Sequence, residues 1–195
     1  MNSALKRIFD VVLAMLGIVL ASPLMLIIFV VLKLSEKGRP AIYVQERIGK
    51  GGKPFNIYKF RTMVVDSEDD GLPVLAEPDD ERLTKFGRFL RSHHIDELPQ
   101  LWNVLKGDMS FVGPRPERKY FIDQIMERDS RYALLYAIRP GITSYATLYN
   151  GYTDTMEKML RRLELDLYYM ENFTWKFDLL ILWKTFFGVL FGKKI

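Results

Sequence analysis

Two adjacent carboxylates, Asp96 and Glu97, and an arginine set between prolines, Pro114-Arg115-Pro116, are the residues best suited to chemistry. A carboxylate can attack phosphorus and form an acyl phosphate, which splits one displacement into two easier ones. A neighbouring carboxylate can hold Mg²⁺, whose charge offsets both the acid pair and the phosphates of a substrate. Arg115, stiffened by its prolines, suits a two-pronged contact with a phosphate oxygen. Pro116 fits the first position of a following helix, which would aim free N–H groups at the same place. Capping is the plainer reading of the pair, and it needs only one acid. Asp96 is expected to cap a helix with Pro99 in its first turn and Gly107 at its end.

These groups need a frame. Residues 42–48 and 55–63 alternate apolar and polar around a turn-rich stretch at 49–54, which predicts a β-hairpin. Lys59 and Arg61, two apart on its second strand, are expected to share a face. Residues 81–95 predict a helix, with Leu83, Phe86, Phe89 and Leu90 on one side and Arg82, Lys85, Arg88 and Arg91 mostly on the other. The helix after Asp96 carries an apolar stripe of Leu98, Leu101, Trp102 and Leu105. A further amphipathic helix runs through Met156, Met159, Leu160, Leu163 and Leu167. His93-His94 does not predict a metal site, because adjacent side chains on a helix diverge and no third ligand is near in sequence.

Residues 11–32 are apolar apart from Ser22, and as a straight helix they would rise about 33 Å, enough to span a bilayer. Pro23 lacks an N–H and its ring crowds the Val19 carbonyl, while Ser22 can bond back to the Ile18 carbonyl; both favour a bend. Lys6 and Arg7 precede the run and Lys33, Lys37 and Arg39 follow it. Basic flanks at both ends fit both ends on the cytoplasmic face. The expectation is a re-entrant helix broken at Ser22-Pro23, with a kinked span as the alternative. Near the carboxyl end a short apolar run with Trp183, Lys184 and a closing Lys193-Lys194 suits a helix lying in the membrane interface.

The chain has 195 residues, no cysteine and a net charge of +4. Disulfides, thiolate nucleophiles and cysteine-bound zinc are excluded. Charge is blocked: residues 41–65 hold five bases and one acid, residues 66–81 eight acids and no base, residues 82–95 four bases and no acid. The basic blocks suit an anionic ligand or membrane surface, and the acidic one, with two prolines and a glycine, reads as a loop. No nucleic acid partner is expected, since no recognition motif accompanies the bases.

The segments "KRIFDVV…ASP", "QERIGKGGKPFNIYKFRTM", "DELPQLWNVLKGDMSFVGPRPE", "RPGIT" and "LELDLYYMENFTWKFDLLILWKT" together resemble the monotopic polyprenyl-phosphate phosphoglycosyl transferases, the bacterial sugar transferase family, in a minimal catalytic form. The resemblance implies transfer of a sugar 1-phosphate from a UDP-sugar to polyprenyl (undecaprenyl) phosphate, with UMP released through a covalent aspartyl phosphosugar. It implies Asp96 as nucleophile, Glu97 as its magnesium-binding or base partner, and Mg²⁺ held by both. Substrate binding is expected at Arg115, Lys59, Arg61, Arg91, Gln100, Asn103, Arg139 and Tyr152. The expected fold is α+β, mainly helical, with a re-entrant membrane helix and flanks at 1–38 and a cytoplasmic catalytic domain at 39–195 bearing a small β-hairpin and amphipathic interfacial helices. Membrane lipids and a second copy of the chain, as a homodimer, complete the expected partners, at the cytoplasmic face of a bacterial inner membrane. After "RPGIT" family members often continue Gly-Trp-Ala-Gln-Val-Asn-Gly-Arg-Asn, whereas here the chain reads "SYATLYNGYTD", with Tyr152 in place of the arginine. This loop is expected to help choose the nucleotide sugar. A non-catalytic membrane-anchored scaffold is the alternative, although it would have no need of the acid pair or Arg115.

Overall fold

The computed structural model describes residues 3–35, 39–64, 80–151 and 153–190. Lys37, most of the acidic stretch (66–79), Tyr152 and Lys193-Lys194 lie outside them.

The chain is α+β and mainly helical. A long apolar helix α1 (Ser3–Ser35) leads into strand β1 (Ile42–Ile48), a tight turn and strand β2 (Pro54–Phe60). Helices α2 (Lys85–Ser92) and α3 (Gln100–Lys106) follow, joined by a short turn that carries the acid pair. Strand β3 (Ser110–Val112), helix α4 (Lys119–Arg128), strand β4 (Gly141–Thr143) and helices α5 (Tyr145–Asn150), α6 (Met156–Glu171) and α7 (Trp175–Leu190) complete it. β1 and β2 pair antiparallel with Ile42 opposite Phe60, and β3 pairs parallel with β4. β2 stops at Phe60, one residue short of Arg61, although the Arg61 N–H still donates to the Ala41 carbonyl at 2.9 Å.

Local chemistry sets several of these limits. Thr84 caps α2 by accepting from the Gly87 N–H at 2.9 Å, and Ser144 does the same for α5 through Thr147. α3 ends at Gly107, which takes the left-handed conformation (φ 98°) and donates to the Asn103 and Val104 carbonyls. At its start the expectation is corrected. Pro99 occupies the N-cap with no side-chain cap, and Asp96 sits upstream in a separate helical turn (Ile95–Glu97). Pro116 likewise precedes α4 by three residues, because Arg118 is the N-cap and 114–118 form an irregular loop. The predicted stripe of α3 holds at Leu101, but Trp102 turns outward and is half exposed.

α1 passes through Pro23 without ending. Pro23 supplies no N–H to the Val19 carbonyl, and the Ser22 hydroxyl donates to that carbonyl instead, at 2.9 Å. The bond goes to Val19 rather than to Ile18, one turn position from the expected acceptor. The pair thus removes a helical hydrogen bond and replaces it. By length and composition α1 is able to cross a membrane. Its buried residues, Asp10, Ala14, Ile28 and Leu32, are joined by half-buried Arg7, Gly17, Ala21 and Met25 into a stripe running nearly end to end. Ala14 packs with Ile57, Val104 and Met109, and Ile28 and Leu32 pack with Phe60 and Leu90. The opposite face leaves Ile8, Leu16, Leu20, Leu26 and Leu34 exposed.

Polar bonds fasten the first turns of α1. Arg7 donates to the Val104 and Leu105 carbonyls at the end of α3. Lys6 pairs with buried Asp178 of α7 at 2.7 Å, and Asp178 also accepts from the Tyr169 hydroxyl at 2.6 Å. Asp10 accepts from the Phe111 N–H. Two further cores complete the packing. One joins α4, the segment 130–137 and α6 through Phe121, Ile122, Ile125, Met159, Leu163 and Leu167. The other joins β3, α6 and α7 around Val112, Tyr169 and Ile181. α7 also exposes Leu179, Leu180, Trp183 and Phe186.

Candidate active site

The turn between α2 and α3 places the acid pair. The predicted helix over 81–95 spans Lys85–Ser92 and stops there because His94 adopts a left-handed conformation (φ 54°). Among the described residues His94 is the one non-glycine with positive φ. Strained backbone of this kind gathers at functional sites. It reverses the chain so that Asp96 is buried while Glu97 meets the hairpin.

Lys59, from β2, donates to Glu97 Oε1 at 2.6 Å, and the Arg115 guanidinium lies 3.8 Å from the same oxygen. The two acids are driven apart in acidity. Burial raises the Asp96 carboxyl to about 6, helped by the like charge of Glu97 and opposed by Lys59, Arg91 and Arg115. Burial would raise Glu97 too, but Lys59 and Arg115 overcome it and hold that carboxyl down, at about 2. His94 is pushed toward its neutral form, first by burial, and feels Glu97, Arg115, Lys59 and Arg91. One carboxylate is therefore fixed as an anion in a cationic clamp. The other is desolvated, the condition in which a carboxylate is least shielded by water.

Of the expected substrate-binding residues, Lys59, Arg91 and Arg115 gather around the pair. Gln100 is buried on the first turn of α3, its Nε2 without a partner among the described residues. Arg61 is buried and donates to the Pro40 carbonyl. Asn103, fully buried, receives the Tyr58 N–H and donates to the Asn56 carbonyl and Asp108, fastening α3 to β2. Arg139 donates to the Gly107 carbonyl at 2.8 Å. Tyr152 lies outside the described residues. His94 and the buried acid behind the loop, Glu117, did not stand out in the sequence. The signal for His94 was the need to reverse direction between two helices within seven residues.

Among the described residues no third acid or imidazole groups with Asp96 and Glu97. Two carboxylates suit a hard ion such as Mg²⁺, which keeps waters and completes its shell with substrate phosphate oxygens. The donor set fits that ion and would not fit a closed zinc site.

The loop bearing Arg115 is held by β3 and β4. Pro114 accepts from the Gly141 N–H at 2.9 Å and Gly113 donates to the Thr143 carbonyl. A Cβ on Gly113 would lie 2.4 Å from the Arg139 carbonyl, and one on Gly141 would lie 2.2 Å from the Gly113 nitrogen. The two segments can cross this closely because neither position has a side chain.

Residues 1–192 match the family model described as bacterial sugar transferase. The chain is similar to a UDP-N-acetylgalactosamine-undecaprenyl-phosphate N-acetylgalactosaminephosphotransferase of Aeromonas hydrophila, 43% identical over 96% of this chain and 44% of the relative. It is also 43% identical to a UDP-glucose:undecaprenyl-phosphate glucose-1-phosphate transferase of Escherichia coli strain K12, over 98% of this chain and 41% of the relative. An uncharacterized sugar transferase of Bacillus subtilis strain 168 is 40% identical over 98% of this chain and 90% of its own length. The chain spans less than half the length of the first two relatives. By the family match over nearly its whole length, the chain belongs to the bacterial sugar transferase family.

Proposed function

We propose that the chain moves a sugar 1-phosphate from a UDP-sugar to undecaprenyl phosphate at the cytoplasmic face of a bacterial inner membrane. The observation that carries this reading is the split acid pair: Asp96 buried and desolvated, Glu97 clamped by Lys59 and Arg115. In the first step an Asp96 oxygen attacks the sugar-bearing phosphorus. The bond from that phosphorus to the bridging oxygen breaks, and the nucleoside monophosphate leaves with the electron pair. In the second, an oxygen of the polyprenyl phosphate attacks the same phosphorus and the Asp96 carboxylate is released. Lys59 and Arg115 offset charge gathering on the phosphoryl oxygens. Glu97 orients these two cations and, with Asp96, would hold Mg²⁺. When bound, that ion would offset further phosphate charge.

The stripe on α1 supports a topology. The far ends of the stripe, Arg7 and Leu32, are about 38 Å apart along a straight helix, yet both rest on the same domain. A helix crossing a bilayer upright would leave the domain after a few turns. We read α1 as dipping into one leaflet, bent at Ser22-Pro23, with its exposed face in lipid and α7 beside it in the interface. The polyprenyl phosphate would then reach Asp96 from the membrane side.

Incubation with labelled UDP-sugar and no lipid tests the covalent route. Label should appear on the peptide carrying Asp96 as UMP is released, and Asp96→Asn should abolish both. If UMP left only in the presence of lipid, and no adduct formed, direct displacement in a ternary complex would replace this mechanism.

A further inference from the structure

Behind Arg115 lies a buried charge cluster that the chemistry above does not use. Glu117 is buried and takes Arg47 of β1 on Oε2 at 3.0 Å and Arg162 of α6 on Oε1 at 3.1 Å. One turn further along α6, Asp166 is 1% exposed. It accepts from the Ser144 hydroxyl and from the backbone N–H of Arg115. A small cavity of about 10 Å³ is lined by Arg115, Glu117, Arg162 and Asp166 with apolar neighbours. That volume accommodates a single water and no sugar or nucleotide, so the cluster supports the site rather than binding substrate.

The pattern of bonds says what it supports. Every residue from Pro114 to Glu117 is pinned. The Pro114 carbonyl is bonded by Gly141, the Arg115 N–H by Asp166, the Pro116 carbonyl by Arg47 and the Glu117 carbonyl by the Ile48 N–H. Pro114 and Pro116 have no N–H, so the single donor of the tripeptide backbone is that of Arg115, and it is given to α6. On its other side the Arg115 guanidinium stands by Glu97.

We propose that Arg162 and Asp166 of α6 are positioning residues that act through Arg115. Asp166 holds the Arg115 backbone and Arg162 holds Glu117, so α6 sets where the guanidinium stands relative to the acid pair. This rests on the phosphate-holding role given to Arg115 above. Sub-ångström placement matters because a shift of about 1 Å in a catalytic group costs about a hundredfold in rate.

The test is a double-mutant cycle on the full chain in detergent, reading UMP release, with a melting temperature for every variant. Asp166→Leu and Arg162→Met should each lower kcat/KM by about a hundredfold, with the same division between kcat and KM as Arg115→Ala. In the Arg115→Ala background each should cost no more than about twofold. Asp166→Asn keeps an acceptor for the Arg115 N–H and should retain most activity. Should Asp166→Leu or Arg162→Met fail to fold, Asp166→Ser and Arg162→Lys take their places in the cycle with the same expected coupling. Losses that add in full to that of an impaired Arg115→Ala overturn the positioning role and leave the proposed function standing. An Asp166→Asn defect as deep as that of Asp166→Leu overturns it as well. An Arg115→Ala enzyme at the parent rate removes Arg115 from the chemistry and the relay with it.

Discussion

Replacing Asp166 by asparagine should change how stability depends on pH, by an amount the structure sets. Burial raises the Asp166 carboxyl from 3.8 to about 7, against the pull of Arg162 and of the Ser144 and Arg115 hydrogen bonds. The folded protein therefore holds a proton there that the unfolded chain has lost. Between pH 4 and 7 the folded state binds more protons than the unfolded state, so stability falls as pH rises. The contribution is fully present below pH 4 and gone once pH passes the folded value. From pH 5 to 7 there are two units at about 1.36 kcal/mol each, or roughly 2.7 kcal/mol at most. Asparagine has no such proton. The stability of the parent relative to Asp166→Asn should decline by up to that amount between pH 5 and 8, because other titrations cancel in the difference. Denaturant unfolding in a fixed detergent at several pH values measures it. A flat difference, or one that grows with pH, would refute the argument that Asp166 is buried in its neutral form.

Three other outcomes follow from the geometry. Lys59→Met leaves Glu97 without its nearest cation; it should cost about 1–3 kcal/mol of stability and most of the turnover, and near-normal UMP release would remove Lys59 from the site. Gly87→Ala would put a Cβ 1.9 Å from the Thr62 carbonyl oxygen, so α2 must move and stability should fall by about 3 kcal/mol, visible as a lowered melting temperature. Under the proposed dipping topology, Ser22→Ala with Pro23→Leu should straighten the helix and make an amino-terminal tag accessible from outside in a fraction of molecules; a parent tag already exposed outside would sink that topology.

Elements built on local pattern were legible in the sequence. The first strand was placed at 42–48 by alternation alone, Gly107 did end α3, and the apolar face of α6 carries the residues its spacing named. What escaped depends on partners distant in the chain. Glu117 reads as an isolated acid until Arg47 and Arg162, 70 and 45 residues away, close on it. Asn103 and Arg139, expected from their type to bind substrate, also hold bonds across the fold that the sequence did not show. The stop at Ser92 was hidden because histidine carries no strong signal for a left-handed turn, whereas glycine would have. The adjacency of the two acids was legible, but the difference between them was not, since it comes from which one the turn buries and which one Lys59 reaches.

The seating of α1 has a consequence for handling the protein. Ala14 and Leu32 fill the same cores as Val104 and Leu90, and the lysine and arginine of its second turn close hydrogen bonds on α3 and α7. The apolar helix α1 is thus a structural wall of the domain and not a detachable tether. Cutting the chain after residue 38 would bare Leu101, Met109 and Phe60 on one side and leave the Asp178 carboxylate without its lysine on another. Trimming at that point should therefore destabilise what remains. Any medium used for the whole chain must cover the exposed apolar face of α1 as well as the polar surface of the domain.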